Sequence, residues 1–417
     1  MASRRFAGSL VAAAATLLVA FTVTVRAGQV IRSSTDLISI DVQVVDKDGN
    51  PVSGLTKDEF EIEIGGKRRP VQLVELIRSD SNQVTVGAVP EEAKRPGVEV
   101  QHPVSYSPRR QTFMLAVDAQ TFSAGVSRGV IETSQKFIRT LSPTDAIGLY
   151  AYPLGPKVEP TTDRAALVKA LDQVSGQKEA ASSYQFNVRN SEIVDYFTED
   201  RTRRVGESIV SRYCGQGDRL CESRFNMEMT TRAGLMEAQA HADLGRLRDL
   251  INGMATIEGR KVLVLASAGL TISDRPGGRP DVGNLPIELG EACARANVAL
   301  YTLYIDNSVL EMFSAERRQE MKSQANIARD ADVAERWLDM FSGAAGGALI
   351  KVLTNNAETA FARIARETSS YYLLGVTATD ADRTGHAQQI KVRVSQKGAT
   401  VRSRAFVVMP KAVSRKP

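Results

Sequence analysis

Between Gln111 and Ser123 the sequence is QTFMLAVDAQTFS, and the elements on either side are organised around this stretch. The apolar run ends in a single aspartate, Asp118, which is followed by a loop and a helical pattern. Near-continuous apolar residues are typical of a strand buried on both faces of a parallel sheet. Ligands of open α/β sheets bind at the carboxyl ends of such strands, so we expect Asp118 to lie at that edge.

Strand and helix patterns alternate on both sides of this stretch. Apolar runs that predict buried strands occupy residues 113–118, 146–152, 262–266, 298–305 and 348–352. Helical spacing of apolar residues occurs at 126–141, 244–254, 287–297, 317–341 and 357–368. A further helix is expected to start near Asp163. This alternation over residues 110–368 predicts an α/β domain: a Rossmann-like, doubly wound, mainly parallel sheet with helices on both faces.

Two flanking segments, residues 30–78 and 369–410, alternate apolar and polar residues with a period of two. This pattern predicts antiparallel strands. We expect the two flanks to pair with each other, so that the α/β domain is inserted into one β-sandwich. Residues 79–109 contain prolines at 90, 96, 103 and 108 and form a predicted linker.

Two acidic turns interrupt these flanks. Asp46, Asp48 and Asn50 resemble the start of a calcium loop, but no acidic ligand follows at the required distance, so a hairpin turn is favoured. Asp380 and Asp382 are interpreted in the same way, as a hairpin tip rather than a metal loop.

The first 27 residues have the layout of an export signal. Arg4 and Arg5 form a positive start, residues 6–25 are apolar or small, and residues 25–27, VRA, approximate a cleavage site. We therefore expect cleavage after Ala27 and a periplasmic, cell-surface or secreted location. The apolar run is also long enough for an uncleaved anchor, and only then is the membrane an expected partner.

Composition and charge argue against nucleic acid as a partner. Hydrophobic residues make up 43% of the chain, enough for a sizeable core. The formal net charge of the whole chain is +5, and removal of the three leader arginines would bring the net charge of the mature chain closer to zero. No aromatic residues are interleaved with a basic stripe, as nucleic-acid binding would favour.

The strand–helix alternation stops between residues 176 and 234, which we interpret as a largely helical, partly exposed insertion. It is either a recognition surface or a variable elaboration. Cys214 and Cys221 lie within it, close enough in sequence to pair in an exported protein, although both could stay reduced. Cys293 falls on the apolar face of a predicted helix and is interpreted as a core residue.

Five stretches carry a family resemblance: TDLISIDV at 35–42, DKDG at 46–49, GLTKDEF at 54–60, GRKVLVL at 259–265 and SSYYLLG at 369–375. With these stretches the chain resembles the exported VWFA-related domain proteins of acidobacterial genomes. The order of elements is similar to that of a von Willebrand factor type A domain. The resemblance spans almost the whole mature chain and implies that fold, but little assigned biochemistry comes with it.

The resemblance also implies a test for a metal site. Type A domains commonly bind a divalent cation through an Asp-x-Ser-x-Ser loop, a threonine and a further aspartate. Asp118 matches the first aspartate, but Gln120 and Phe122 stand at the serine positions and Ala268 at the later aspartate. Oxygens in a different register are offered by Gln120, Thr121 and Ser123. We therefore expect no cofactor, with Mg²⁺ or another divalent cation at Asp118 as the alternative.

A serine hydrolase is the second alternative, because Ser267 follows a predicted strand as a nucleophile elbow would. The first glycine of such an elbow is absent, and a loop rather than a helix follows. None of the three histidines, His102, His241 and His386, is well placed in the sequence to act as the base. We therefore interpret the protein as non-catalytic.

The sequence thus favours an exported binding protein that recognises a protein, cell-envelope or matrix partner at the carboxyl edge of the sheet. The residues expected to form this edge are Asp118, Gln120, Thr121, Ser123, Ser267, Thr271 and Asp274. Replacing residues 118–122 by a Gly-Ser loop is expected to abolish binding and leave the fold intact.

Overall fold

The computed structural model describes residues 37–78, 111–178, 184–198, 204–215, 217–275, 277–306, 324–352, 357–409 and 411. The predicted leader (1–27) and linker (79–109) lie outside these residues, so export stays a prediction. Within the described part of the chain, no helix combines the length and the apolarity needed to cross a membrane.

The first strands are β1 (Leu37–Val45), β2 (Phe60–Ile64), β3 (Lys67–Arg69), β4 (Val71–Arg78), β5 (Thr112–Asp118), β6 (Ala146–Tyr152) and β7 (Lys157–Thr161). The later strands are β8 (Lys261–Ser267), β9 (Val298–Ile305), β10 (Leu349–Val352), β11 (Ser370–Thr377), β12 (Ala387–Val394), β13 (Thr400–Ser403) and β14 (Phe406–Val408). The helices are α1 (Ala124–Thr140), α2 (Arg164–Leu171), α3 (Asn190–Tyr196), α4 (Arg204–Tyr213), α5 (Arg219–Met254), α6 (Leu285–Ala296), α7 (Gln324–Ala344) and α8 (Ala357–Thr368).

A six-stranded sheet forms the centre of the α/β domain, in the order β10-β9-β8-β5-β6-β7. Its neighbouring strands are parallel, except that β7 runs antiparallel to β6 at one edge. This arrangement confirms the predicted class, a von Willebrand factor type A-like, doubly wound sheet. The sequence does not predict β7, because KVEPT contains a proline and little apolar alternation. An edge strand tolerates such a sequence, since it hydrogen-bonds on one side only.

The central strand β5 separates two apolar layers, because successive side chains of a strand point to opposite faces. Phe113, Leu115 and Val117 lie in the layer shared with α1 and α8. Met114 and Ala116 lie in the layer shared with α5, α6 and α7. The prediction of helices on both faces of the sheet is confirmed.

The two flanks form one β-sandwich, as predicted. Its sheets have the orders β13-β1-β11-β4 and β14-β12-β2-β3, so each combines strands from both ends of the chain. Ile40 of β1 lies opposite Leu374 of β11, and Ile62 of β2 lies opposite Val392 of β12. The inward side chains of both sheets share one buried core.

The last β-segment differs from its prediction. The interpretation of residues 401–408 as one alternating strand is wrong, because the structure divides them between β13 and β14, which belong to different sheets. Arg404 stands at the crossing, where it pairs with Ala345 in an isolated bridge. The three successive polar residues 402–404 break the alternation next to this crossing.

Both acidic turns of the flanks use their carboxylates within the protein. Asp46 Oδ1 accepts hydrogen bonds from the backbone N–H of Asp48, at 2.9 Å, and of Asn50, at 2.8 Å. Asp382 accepts from the Nε of Arg69, at 2.9 Å, and from its second terminal nitrogen, at 2.6 Å. The guanidinium holds the pKa of Asp382 well below its usual value. These contacts agree with turns rather than metal loops.

The insertion contains α3, α4 and the first half of α5. Its helices enclose a separate small core that includes Phe186, Ile209 and Phe225. Cys214 and Cys221 form a disulfide that joins the end of α4 to the start of α5. The structure differs from the prediction at Gly234, because α5 runs unbroken from the insertion to the layer that covers the sheet.

Reduction of this disulfide is expected to loosen the insertion more than the sheet, because the bond closes a loop inside the insertion core. Amide hydrogen exchange of reduced and oxidised protein should show faster exchange in α4 and the first turns of α5. The amides of β5 and β8 should stay protected. Equal acceleration in both regions would show instead that the insertion and the sheet open as one unit.

A buried carboxylate joins the sandwich to the α/β domain. Glu367, at the end of α8, is fully buried and accepts from Arg363 Nε at 2.8 Å. Arg402 of β13 places its Nε 2.9 Å from the other carboxylate oxygen. Tyr301 of β9 donates its hydroxyl to Gln43 of β1 at 2.8 Å, and the Gln43 amide donates to the Glu367 carbonyl at 2.9 Å. Both units thus share one polar network.

Replacing Glu367→Ala should lower the free energy of unfolding by about 3 kcal/mol, because it removes the fully buried carboxylate that pairs with the largely buried guanidinium of Arg402. Urea unfolding measures this change. Glu358→Ala is the matched control, because Glu358 pairs with Lys136 on the surface of the same domain and should contribute little. Similar losses in the two variants would contradict the assigned role of Glu367.

Candidate functional site

The carboxyl ends of β5 and β8 meet where the winding of the sheet reverses. The chain leaves β5 through α1 to β6 on one side, and leaves β8 through α6 to β9 on the other. Doubly wound sheets open a crevice at such a switch point, which is their usual ligand site. Asp118 and Ser267, the last residues of the two strands, lie at this position.

Asp118 and Ser267 are joined by a buried hydrogen bond. The hydroxyl of Ser267 donates to Asp118 Oδ2 at 3.0 Å and accepts from the backbone N–H of Gly269 at 3.1 Å. Asp118 is 1% exposed and Ser267 is 0% exposed. Neither side chain is therefore available for direct contact with a partner.

Thr121 connects the loops that follow the two strands. Its hydroxyl donates to the carbonyl of Asp118 at 2.8 Å and accepts from the backbone N–H of Ala268 at 2.9 Å. Gly269 continues this loop with a φ of +104°, and a Cβ there would lie 2.6 Å from the Cβ of Ala334 on α7. Only glycine fits this close approach. The two loops and α7 are held together at the base of the crevice.

A second buried carboxylate, Asp243 of α5, belongs to this site and was missed by the sequence analysis. Asp243 Oδ1 accepts from the side-chain amide of Gln120 and, at 3.0 Å, from Arg246. The sequence does contain a sign that Asp243 is buried, because it lies on the same face of α5 as Leu247 and Ile251. An acid on an apolar helix face requires a partner, which only the fold supplies.

Asp118 and Asp243, the acid pair, have unusual protonation behaviour. Burial raises the pKa of Asp118 well above its ordinary value, and the charge of Asp243 raises it further. Burial also raises the pKa of Asp243 to about 6. Asp118 Oδ1 and Asp243 Oδ2 are buried without a hydrogen-bond partner. The pair is therefore favoured in a partly protonated state.

The raised pKa of Asp243 predicts a pH dependence of stability. Its pKa is 3.8 in the ordinary state and about 6 in the folded state, so folding favours the protonated form. The resulting stability is fully present below the unfolded pKa and is lost as the pH rises through the folded pKa. Asp243→Asn, which keeps an acceptor for Gln120 and Arg246, should flatten this fall in urea unfolding measured from about pH 4 to about pH 7. An unchanged slope would exclude Asp243 as its source.

The residues present do not fit the cation site that the resemblance implies. Gln120 directs N–H donors at Asp243, Phe122 is fully buried as a core side chain, and Ala268 offers no side-chain oxygen. Asp118 has one carboxylate oxygen engaged by Ser267. Across the described residues, no group of three or more His, Cys, Asp or Glu side chains is arranged to hold a metal ion.

The other expected binding residues lie on more accessible loops. Ser123 is exposed just before α1. Thr271 accepts from the side-chain amide of Asn190 at 3.3 Å, and Asp274 accepts from Arg336. The expected Gly-Ser replacement of residues 118–122 would not leave the fold intact. That expectation is wrong because the segment includes buried side chains, Phe122 among them at 0% exposure.

Ser267 does not have the surroundings of a hydrolytic nucleophile. Its hydroxyl is buried and bonded to Asp118, with no imidazole among the partners described for it. His241 is exposed on α5, and His386 lies in the turn before β12. His102 lies outside the described residues. The arrangement can orient two loops, but it does not present the Ser267 hydroxyl to solvent.

Comparison with known proteins gives limited guidance. No model of a known protein family matches the chain, and no curated protein matches it. An aerotolerance-related membrane protein from Bacteroides fragilis NCTC 9343, solved with multiple mutations to serine, is 9% identical. The match covers 62% of this chain and 98% of that one, with a TM-score of 0.28. The conserved hypothetical protein BatB from Bacteroides thetaiotaomicron has 8% identity, the same coverage and a TM-score of 0.28. Likeness at this level carries no functional argument.

Proposed function

We propose that this is an exported, non-catalytic VWFA-related protein that binds a protein, cell-envelope or matrix partner at the carboxyl edge, without a metal ion. The observation that carries the proposal is the buried connection that Thr121 makes between the loops after β5 and β8. Loops fixed in advance lose little conformational entropy when a partner binds, which favours affinity.

A rim of accessible side chains surrounds this buried base. We define the rim as Gln120, Ser123, Leu154 and Lys178. Leu154, in the loop after β6, is 76% exposed, and Ser123 and Lys178 are exposed polar residues. An apolar side chain within a polar border is an arrangement that suits a protein partner.

The rim is held in place by backbone contacts. The N–H of Gln177 donates to the carbonyl of Ala119 at 2.6 Å, and the N–H of Lys178 donates to the carbonyl of Phe122 at 3.1 Å. The side chain of Gln177 also donates to the carbonyl of Leu154. A Cβ at Gly176 would lie 2.3 Å from the carbonyl oxygen of Ser123, so the close approach requires glycine. Three loops therefore form one surface.

The insertion extends this surface, which favours its interpretation as a recognition element. Asn190 of α3 contacts Thr271, and Arg329 of α7 donates to Asp195 of α3 at 3.0 Å. The helices α3, α4 and α7 border a groove of about 280 Å³ lined by charged residues, serines and the apolar Val205 and Ile209. The groove gives the insertion a surface that is both charged and apolar, as expected for binding a protein or matrix partner.

The test is capture of partners from a cell-envelope extract by immobilised mature chain, residues 28–417. Leu154→Glu combined with Ser123→Arg places charge on the rim without touching the buried base. We expect this variant to retain about a tenth or less of the captured partner, because an apolar anchor is lost and charged side chains would have to be desolvated on binding. Mass spectrometry and quantitative blotting measure the change.

Leu73→Glu is the matched control, because Leu73 is an exposed leucine of the sandwich strand β4. It should leave capture unchanged. Loss of capture in the control and not in the rim variant would move the binding surface to the sandwich. Equal capture by all three proteins would overturn the assignment of the rim.

A further inference from the structure

The acid pair has an internal cation beside it. Arg246 lies one helical turn after Asp243 and donates to its Oδ1 at 3.0 Å. The Arg246 side chain is 35% exposed, whereas that of Asp243 is 1% exposed. The positive charge therefore reaches the buried carboxylate from the solvent side of α5.

The charge of Arg246 acts on the whole site. Burial raises the pKa of Asp118 and of Tyr152, and the charge of Arg246 lowers both by a smaller amount. Arg246 is therefore close enough to act electrostatically on both groups. Tyr152 of β6 is paired in register with Asp118 and also feels the charge of Asp243. The two carboxyl groups, the phenol and the guanidinium thus form one cluster.

Gln120 completes the arrangement around Asp243. Its amide N–H and the guanidinium of Arg246 share the same acceptor, Asp243 Oδ1. A metal ion would take its ligands from the carboxylate oxygens of the acid pair, together with several waters. Two donors at one carboxylate oxygen, one of them cationic, oppose the approach of a second positive charge.

We propose that Arg246 supplies the positive charge that a divalent cation would supply at this edge, and that Arg246 and Gln120 keep metal ions away from the acid pair. The mechanism has two parts. The guanidinium compensates the charge of the buried carboxylates and opposes a second positive charge, and the hydrogen bonds from Arg246 and Gln120 occupy one oxygen of Asp243. The edge is therefore kept in one metal-free state by side chains of the chain itself.

This inference rests on the proposed function, in which the carboxyl edge binds its partner without a metal ion. Its test needs no binding partner. Wild-type protein and the variants Arg246→Gln and Arg246→Lys are titrated with Mn²⁺ by calorimetry and by electron paramagnetic resonance of the free ion. Glutamine removes the charge and keeps a donor, whereas lysine keeps the charge. The cation titration can be interpreted even if no partner is captured, and the capture experiment can be interpreted whatever the titration shows.

We expect no Mn²⁺ binding by the wild type or by Arg246→Lys up to about 1 mM Mn²⁺. Arg246→Gln should bind Mn²⁺ with a Kd at least about tenfold below that limit, because a nearby opposing charge is gone. Adding Asp243→Asn to that variant should abolish the gain. Mn²⁺ binding by the wild type that disappears in Asp118→Asn would overturn the inference, as would a folded Arg246→Gln variant that binds no Mn²⁺.

A second measurement uses the wild type alone and so does not depend on the folding of a variant. A ligand that binds the folded state raises the midpoint of thermal unfolding. The midpoint of the wild type should therefore be the same in millimolar Mn²⁺ as in buffer without divalent cations. A midpoint that rises with the Mn²⁺ concentration would contradict exclusion of the metal.

Discussion

The structure depends on accommodating a carboxyl group at the buried end of its central strand. Asp118 ends β5 at 1% exposure, where an uncompensated charge would be costly. The groups around it come from distant parts of the sequence: Ser267 at the end of β8 donates a hydrogen bond to it, and the charges of Asp243 and Arg246 on α5 act on it in opposite directions. The strands β5 and β8 and the helix α5 therefore meet around this carboxyl group. The loop after β5, which follows Asp118, also carries the backbone contacts that hold the rim.

A second constraint is that the α/β domain is inserted between the two halves of the sandwich. The sandwich closes only when β1 pairs with β11 and β2 pairs with β12, and the whole α/β domain lies between these strands in the sequence. The Glu367 network then joins the two units through side chains of both. The α/β domain, at whose carboxyl edge we propose recognition, is thus anchored at both ends, which suits a rigid binding surface.

Much of the fold was accessible from local pattern. The apolar runs at 146–152 and 298–305 coincide with β6 and β9, because buried parallel strands tolerate few polar residues. The edge strand β7 was not accessible, since edge pairing leaves no periodic signal, and the division of 401–408 was missed although the polar residues 402–404 break the alternation. The length of α5 was also underestimated, because the apolar face of its first half, with Phe225 and Met229, packs in the insertion core and not on the sheet.

By itself, the sequence determined the α/β class, the pairing of the flanks and the location of Asp118 at a strand end, because apolar periodicity records which surfaces are buried. The tertiary structure alone decided what Asp118 does there. It placed Phe122 in the core, turned Thr121 and Ser267 inward and brought Asp243 and Arg246 to the same point. Such contacts join residues far apart in the chain, and no local pattern specifies the partner of a buried polar group.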